Sequence, residues 1–410
     1  MKSIRTTTLE CGATLVTEKM SGVRSAGISC YLPAGTAVEP DNRLGISSLL
    51  SELLFRGAGD LDSRAFSDAL DTLGVSRHGS SQSRHLSLGM TLMGEKIPDV
   101  LPLLIDMIRR PTLAEEALGP VRDLCLQSLA GLRDEPQERT MVLLKEKHVR
   151  PPFNRSSYGT EEGLTGSTAA DVRAFHRDRV LPGGAIIGMA GDIEPEQVRD
   201  QLNNLLQGWE GTAAEPQPTG EAPRGMHHIA DESAQVHIGI MLDAPRELDE
   251  HSMIERVVTS VLSGGMSGRL FTEVREKRSL CYAVHAAYAA GRDEGRLVCY
   301  AGTTPDRAQE TLNVIAGELS RLKKGVEKTE FDRAVTGLKS RIIMHGESTA
   351  ARASAIASDT YVRGEARSLD ELAQAVDAVT LDAVNHYLES REPGKVTIAT
   401  IGPVELTSPF

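Results

Sequence analysis

Residues 45–57 (GISSLLSELLFRG) sort their side chains by helical face. Ile46, Leu49, Leu50, Leu53 and Leu54 recur at helical spacing and form one apolar stripe. Ser48, Ser51 and Glu52 fall on another face, and positions 48 and 52 are one turn apart, so their side chains project together. Neither H-x-x-E-H nor H-E-x-x-H occurs anywhere in the chain. Arg275 and Tyr282 set a guanidinium and a phenol seven residues apart. On spacing alone, Arg275 reads as a solvated charge on a helix and Tyr282 as a packed strand aromatic. His227 and His228 lack an i+4 partner and read as a solvated loop. His78 and His85 read as surface residues. The stretch 263–268 (SGGMSG) is glycine-rich but lacks the lysine of a phosphate-binding loop. It reads as a flexible turn. Cys11, Cys30, Cys125, Cys281 and Cys299 are widely spaced with no C-x-x-C, which argues against a disulfide framework and a zinc ribbon and for a reducing cytoplasm.

The elements that must position these groups alternate between short apolar strands and long helices. In the first half, 24–32 reads as a strand, 45–56 as a helix, 86–93 as a strand, and 97–108 and 113–132 as helices. In the second half, 235–242 is a strand, 252–262 a helix, 297–301 a strand and 306–322 a helix. Each half closes on a similar strand ending in glycine, AIIGMAG at 185–191 and VTIATIG at 396–402. Between the halves, 208–224 (GWEGTAAEPQPTGEAPR) is proline- and glycine-rich with almost no aliphatic residues and reads as a linker. The expected organisation is an N-terminal domain at 1–207, a linker at 208–224 and a C-terminal domain at 225–410. The fold class is α+β: two similar sandwich halves, each a mixed or antiparallel sheet with helices packed on one face.

Composition narrows the function. The chain has 410 residues, with 45 Lys plus Arg against 57 Asp plus Glu, a formal net charge of −12. Such an acidic chain, with 4% aromatics, is poorly suited to nucleic acid. No apolar run reaches the roughly 18 residues of a membrane helix, and the N-terminus (MKSIRT) has no apolar stretch of the signal-peptide kind.

The helix at 45–57 resembles the zinc helix of the pitrilysin/insulinase metallopeptidases, G-[IL]-[SA]-H-x-L-E-H-x-x-F-[KR]-G, in Gly45, Ile46, Ser47, Leu50, Phe55, Arg56 and Gly57. The likeness runs along nearly the whole chain, and is nearest to the short bacterial and processing-peptidase-like members. Residues 9–13 (LECGA) are similar to the family's opening strand, and Tyr158, Gly159 and Gly163 to its P-Y/L-G…G turn. Residues 188–193 (GMAGDI) resemble its G-D strand end, and 263–271 (SGGMSGRLF) its second-half G-G-x-S-S-R-L-F.

The resemblance also marks a departure. It implies His, Glu and His at positions 48, 51 and 52, where two imidazoles ligate zinc and the carboxylate is the general base. This chain has Ser48, Ser51 and Glu52. The third ligand, a glutamate in relatives, falls at Gln127 or Ser128, ahead of Leu129. Hydroxyls are poor zinc ligands and one carboxylate cannot hold the ion, so no metal is expected in this chain.

The second-half R-x-K-x-x-L-x-Y motif is intact at 275–282. The resemblance implies that Arg275 and Tyr282 offer donors to a substrate carbonyl and the developing oxyanion. It further implies that Gly79, Ser80, Ser81 and Gln82 lie at a sheet edge where an extended peptide adds its backbone. Some short members divide the labour, one subunit carrying zinc and another the Arg/Tyr pair. The expected function is therefore the zinc-free subunit of a heterodimeric zinc metalloendopeptidase, with the metal in an H-x-x-E-H-bearing partner. Two other readings stand beside it: a non-enzymatic peptide-binding homodimer or scaffold, and a metal-free or altered-metal hydrolase.

Overall fold

The computed structural model describes residues 4–410. The N-terminal reading at Met1, Lys2 and Ser3 lies outside the described residues. Strands run in chain order β1 (Ile4–Thr8), β2 (Thr14–Lys19), β3 (Ser25–Leu32), β4 (Ser76–Ser81), β5 (Leu86–Met93), β6 (Ile186–Gly191), β7 (Gly225–Ala230), β8 (Val236–Ala244), β9 (Cys281–Ala290), β10 (Gly295–Thr303) and β11 (Thr397–Gly402). Helices of the first half are α1 (Ile46–Leu53), α2 (Ser63–Thr72), α3 (Ile97–Arg109), α4 (Glu115–Gly131), α5 (Pro136–His148), α6 (Glu161–Gly166), α7 (Ala169–Arg179) and α8 (Pro195–Leu205). Those of the second half are α9 (Ser252–Ser263), α10 (Ala308–Arg321), α11 (Lys328–Gly346), α12 (Thr349–Arg363), α13 (Leu369–Asp377) and α14 (Leu381–Ser390).

The chain forms two compact units. The first comprises Met1–Gly131, Arg150–Gly220 and His345–Ser368; the second comprises Leu132–Val149, Glu221–Met344 and Leu369–Phe410. The units therefore differ from contiguous halves. α5, from the N-terminal half, belongs to the second unit, and α12, from the C-terminal half, belongs to the first. The chain passes from the first unit to the second at Gly220 and Glu221, inside the 208–224 stretch read as a linker, but the start of that stretch is held. Trp209 is buried in the first unit's core and its indole donates to the Val180 carbonyl, while Thr212 bridges Gly183. One tryptophan anchors a stretch whose average composition looked core-free.

In the first unit the sheet order is β1-β2-β6-β3-β5-β4. β2 and β6 are parallel and every other neighbouring pair is antiparallel. In the second unit the order is β7-β11-β8-β10-β9, with only β7 and β11 parallel. Renumbered from β2 and from β7, the two five-strand orders are identical. The match extends to single residues. The terminal glycines of β6 and β11, Gly191 and Gly402, both have positive φ (127° and 155°). A Cβ on either would collide with a carbonyl at the start of the neighbouring strand, that of Ser25, which opens β3, or of Gln235, just before β8.

Strand alternation gives each sheet two apolar faces. Leu15, Ile28, Cys30, Ile187 and Met189 face the main core of the first unit, shared with Leu49, Leu50 and Leu53 of α1. Val16, Tyr31, Ile186 and Ala190 face the other way and pack on Ala353, Ile356 and Ala357 of α12. In the second unit Met241, Ala399 and Ile401 pack on Leu143 and Leu144 of α5. So beyond the helices expected on one face, each sheet has a further helix on the opposite face. No helix among the described residues is long and apolar enough to cross a membrane.

Some local readings change. Residues 9–13 form the turn of the β1–β2 hairpin, closed by Leu9 N–H to Ala13 O at 2.8 Å, and not a strand. His227 and His228 sit on β7 and not in a loop; His228 Nδ1 lies 2.9 Å from Thr400 Oγ1. His85 is not a surface residue: its ring stacks on Tyr31 with centroids 4.0 Å apart and meets Tyr361 edge-on.

Candidate functional site

α1 buries Ile46, Leu49, Leu50 and Leu53, which directs Ser48 and Glu52 away from the core. Its entry is unusual, because Gly45 at the N-cap has φ 105° and no side chain to cap with. Glu39 supplies the cap from outside the helix. Its carboxylate accepts from Gly45 N–H and Ser47 N–H, both at 3.0 Å, and from the Ser47 hydroxyl. Burial raises the Glu39 pKa above the usual carboxylate range, against the lowering by these donors and by Arg155. Ser47 Oγ lies 2.6 Å from Ser81 Oγ, tying the start of α1 to the end of β4.

The chain at 158–163 closes over the same helix entry. A Cβ on Gly159 would lie 2.5 Å from Gly45 Cα, and one on Gly163 would lie 2.2 Å from the Leu44 carbonyl. Gly45 and the sequence-distant Gly159 and Gly163 thus serve one close backbone crossing. It carries Ser157 to the face of α1, where the Ser48 hydroxyl donates to the Ser157 carbonyl.

These contacts enclose a cavity of about 240 Å³, all of it in the first unit. α1 lines it with Ser48, Ser51 and Glu52, and the edge strand β4 and its turn with Gly79, Ser80, Ser81 and Gln82. α4 adds Leu124, Cys125 and Ser128, and the crossing loop adds Ser157 and Tyr158. Of the two residues left open for the third ligand position, Ser128 lines the cavity; Gln127 is not among the lining residues. Among the described residues β4 pairs with β5 alone in the sheet, so its other edge is open.

The polar groups in the cavity are in unequal states. The Ser128 hydroxyl donates to the Leu124 carbonyl at 3.0 Å. Ser51 is 3% exposed and its hydroxyl has no partner among the described residues. Its Oγ lies where a Cβ on Gly79 would come within 2.8 Å, which makes glycine the residue that fits at 79. The Glu52 carboxylate has no hydrogen bond or ion pair among the described residues. The Cys125 thiol is pushed up to about 11, first by burial and then by the Glu52 carboxylate, so it is held as the neutral thiol.

This donor set does not fit zinc. Two serines whose protons are committed to backbone carbonyls and one carboxylate stand at 48, 128 and 52, with no imidazole among the lining residues. No group of three or more His, Cys, Asp or Glu with metal-binding geometry occurs among the described residues.

Arg275 and Tyr282 lie in the second unit. Arg275 sits on a π-helical turn, Phe271–Glu276, and Tyr282 near the start of β9. Between them Ser279 takes a left-handed conformation (φ 52°). Ser279 N–H donates to the Arg275 carbonyl and Leu280 N–H to that of Val274, both at 3.0 Å. The reversal brings the Tyr282 ring to 5.0 Å from the Arg275 guanidinium carbon, with Phe271 at 4.9 Å on the same guanidinium. Tyr282 is 82% exposed, unlike the packed aromatic that spacing alone implied. The turn at 263–268 lines a separate cavity of about 170 Å³ with Glu330 and Arg333.

The structure thus gathers Ser48, Ser51, Glu52, Ser128 and residues 79–82 at one cavity, and pairs Arg275 with Tyr282. Glu39, Cys125, Ser157 and Tyr158 were absent from the sequence-derived site. Glu39 had one readable signal, an acid shortly before a helix that begins on glycine.

Comparison with known proteins places these features in a family. Residues 14–161 match the family model described as Insulinase (Peptidase family M16), and residues 167–338 match the one described as Peptidase M16 inactive domain. An uncharacterized zinc protease of Mycobacterium tuberculosis is 26% identical over 97% of this chain and 93% of its own length. One from Bacillus subtilis is 25% identical over 98% of each chain. The crystal structure of a peptidase M16 inactive domain from Pseudomonas fluorescens shares the fold with a TM-score of 0.87 at 20% identity, covering 99% of this chain and 100% of that one. A protease from Helicobacter pylori does so with a TM-score of 0.84 at 18% identity, covering 98% and 99%. With residues 14–161 and 167–338 matched in order by the two models, this chain belongs to the M16 (insulinase) peptidase family.

Proposed function

We propose that this chain is the catalytically incomplete subunit of a heterodimeric zinc metalloendopeptidase. It binds extended peptides along the open edge of β4 at Gly79, Ser80 and Ser81, with Gln82 at the turn beyond, and supplies Arg275 and Tyr282 to a zinc site on an H-x-x-E-H-bearing partner. The observation that carries this reading is the uneven state of the two catalytic sets. Positions 48, 51, 52 and 128 offer three hydroxyls and one carboxylate, short of the three good ligands zinc needs, whereas Arg275 and the exposed Tyr282 form an assembled pair of donors. A guanidinium and a phenol can stabilise a carbonyl oxygen as it gains charge, and neither can activate water unaided. The reducing cytoplasm is the proposed compartment, in keeping with five free cysteines.

The test is reconstitution. The purified chain alone is expected not to cleave peptides, and adding an M16 homologue from the same organism with intact H-x-x-E-H is expected to give chelator-sensitive cleavage. Arg275→Ala should then lower kcat/KM by about 100-fold, and Tyr282→Phe by about tenfold or more, on the scale of lost oxyanion donors. Unchanged cleavage by both variants would remove these residues from the mechanism. The second reading, a non-enzymatic peptide-binding scaffold, rests on the same open edge. It would be favoured by peptide binding without hydrolysis in every mixture.

A further inference from the structure

We infer that the cavity at the former ligand positions is a receptor for one lysine-type ammonium group, carried by a peptide lying along β4. The inference rests on the proposal that β4 binds extended peptide and adds the side-chain class that it selects. Its basis is the state of four polar side chains in the cavity, Ser48, Ser51, Glu52 and Ser128. The hydroxyl protons of Ser48 and Ser128 are committed to the carbonyls of Ser157 and Leu124, so these two side chains can only accept further hydrogen bonds. Glu52, when ionised, is acceptor-only and has no cation beside it among the described residues. Ser51 Oγ, nine-tenths and more buried, is left without a partner on the same wall. An unmet buried hydroxyl is costly, which points to a group that arrives from outside.

An ammonium brings three donors and no acceptor, the complement of the Ser48, Ser128 and Glu52 acceptors. A carboxylate or phosphate is disfavoured, because it would face Glu52 with no Lys, Arg or His among the lining residues. A volume of about 240 Å³ is below the usual range for drug-sized ligands and suits a single side chain. The net charge of −12 draws cationic peptides toward the chain. The positive charge that the family places here as a metal would thus be supplied by the ligand.

The test compares two end-blocked alanine hexapeptides by calorimetry on the full chain, one with lysine at the third position and one with its uncharged isostere norleucine. The lysine peptide is expected to bind at least about tenfold more tightly, the worth of a charge-assisted hydrogen bond. Glu52→Gln, checked for an unchanged Tm, is expected to erase that preference. The norleucine comparison needs no variant, so the result does not depend on the folding of Glu52→Gln. Equal binding of both peptides, or a preference that survives in Glu52→Gln, would overturn the ammonium site while leaving peptide binding at β4 intact. If neither peptide binds at millimolar concentration, both the β4 reading and the inference fall.

Discussion

Ser48, Ser51 and Glu52 are separated in sequence from Ser128 by two helices and two strands, yet the four line one cavity. Their side chains differ from the imidazoles and carboxylates that the resemblance implies at these positions. Residue-scale chemistry also shapes the pH response. His85 is pushed down to about 4, chiefly by burial and secondly by the nearby Arg84 charge. Its unfolded value is near 6.5, so between pH 6.5 and 4 the unfolded chain binds a proton that the folded chain refuses. Stability from this group is fully present above pH 6.5 and falls as the pH drops toward 4, by up to about 3 kcal/mol. His85→Phe keeps the aromatic stack on Tyr31 and removes the titration. Urea unfolding at pH 7 and pH 4.5 is expected to show a smaller pH loss in the variant, and an equal loss would assign the titration elsewhere.

At the scale of elements, the site depends on how α1 is held. A helix with glycine at its N-cap and no capping side chain borrows a carboxylate from Glu39, and three glycines let a distant loop cross its entry. α12 shows the same dependence for the opposite face of the sheet. Arg352, 2% exposed, is ion-paired with buried Glu18 of β2 and so pins α12 to the first unit. Arg352→Ala leaves that carboxylate buried and unpaired and should cost about 3–5 kcal/mol in urea unfolding. Replacing both partners with apolar residues, Glu18→Leu with Arg352→Met, should recover most of the loss. A loss below about 1 kcal/mol for Arg352→Ala would show that water reaches Glu18.

At the scale of the whole molecule, the two units repeat one five-strand order, with one helix of each half assigned to the other half's unit. A fragment ending at 207 therefore lacks α12 and leaves Val16, Tyr31, Ile186 and Ala190 uncovered. It is expected to aggregate or to bind a hydrophobic dye, and a synthetic peptide spanning 345–368 should suppress both. A monomeric, dye-silent fragment would refute this role for α12. The exchange also explains why the contiguous boundaries at 207 and 225 miss the units. Hydrophobic periodicity identifies a buried helix face but does not say which sheet it will meet.

The sequence by itself determined the elements with strong periodicity. β5 at 86–93, the helix at 97–109 and the apolar stripe of α1 follow from local spacing, because a strand or helix face is set by residues two, three or four apart. Motif order marked the family, and residue chemistry alone established that positions 48, 51 and 52 hold no imidazole. Only the tertiary structure decided that Ser128, and not Gln127, joins Ser48 and Glu52, that Glu39 caps α1, and that Trp209 anchors the stretch after α8. It also decided the left-handed reversal at Ser279 that stacks Tyr282 on Arg275. These pairings join residues distant in sequence or held by a special backbone turn, and they form when the cores close around them, a constraint that no local pattern encodes.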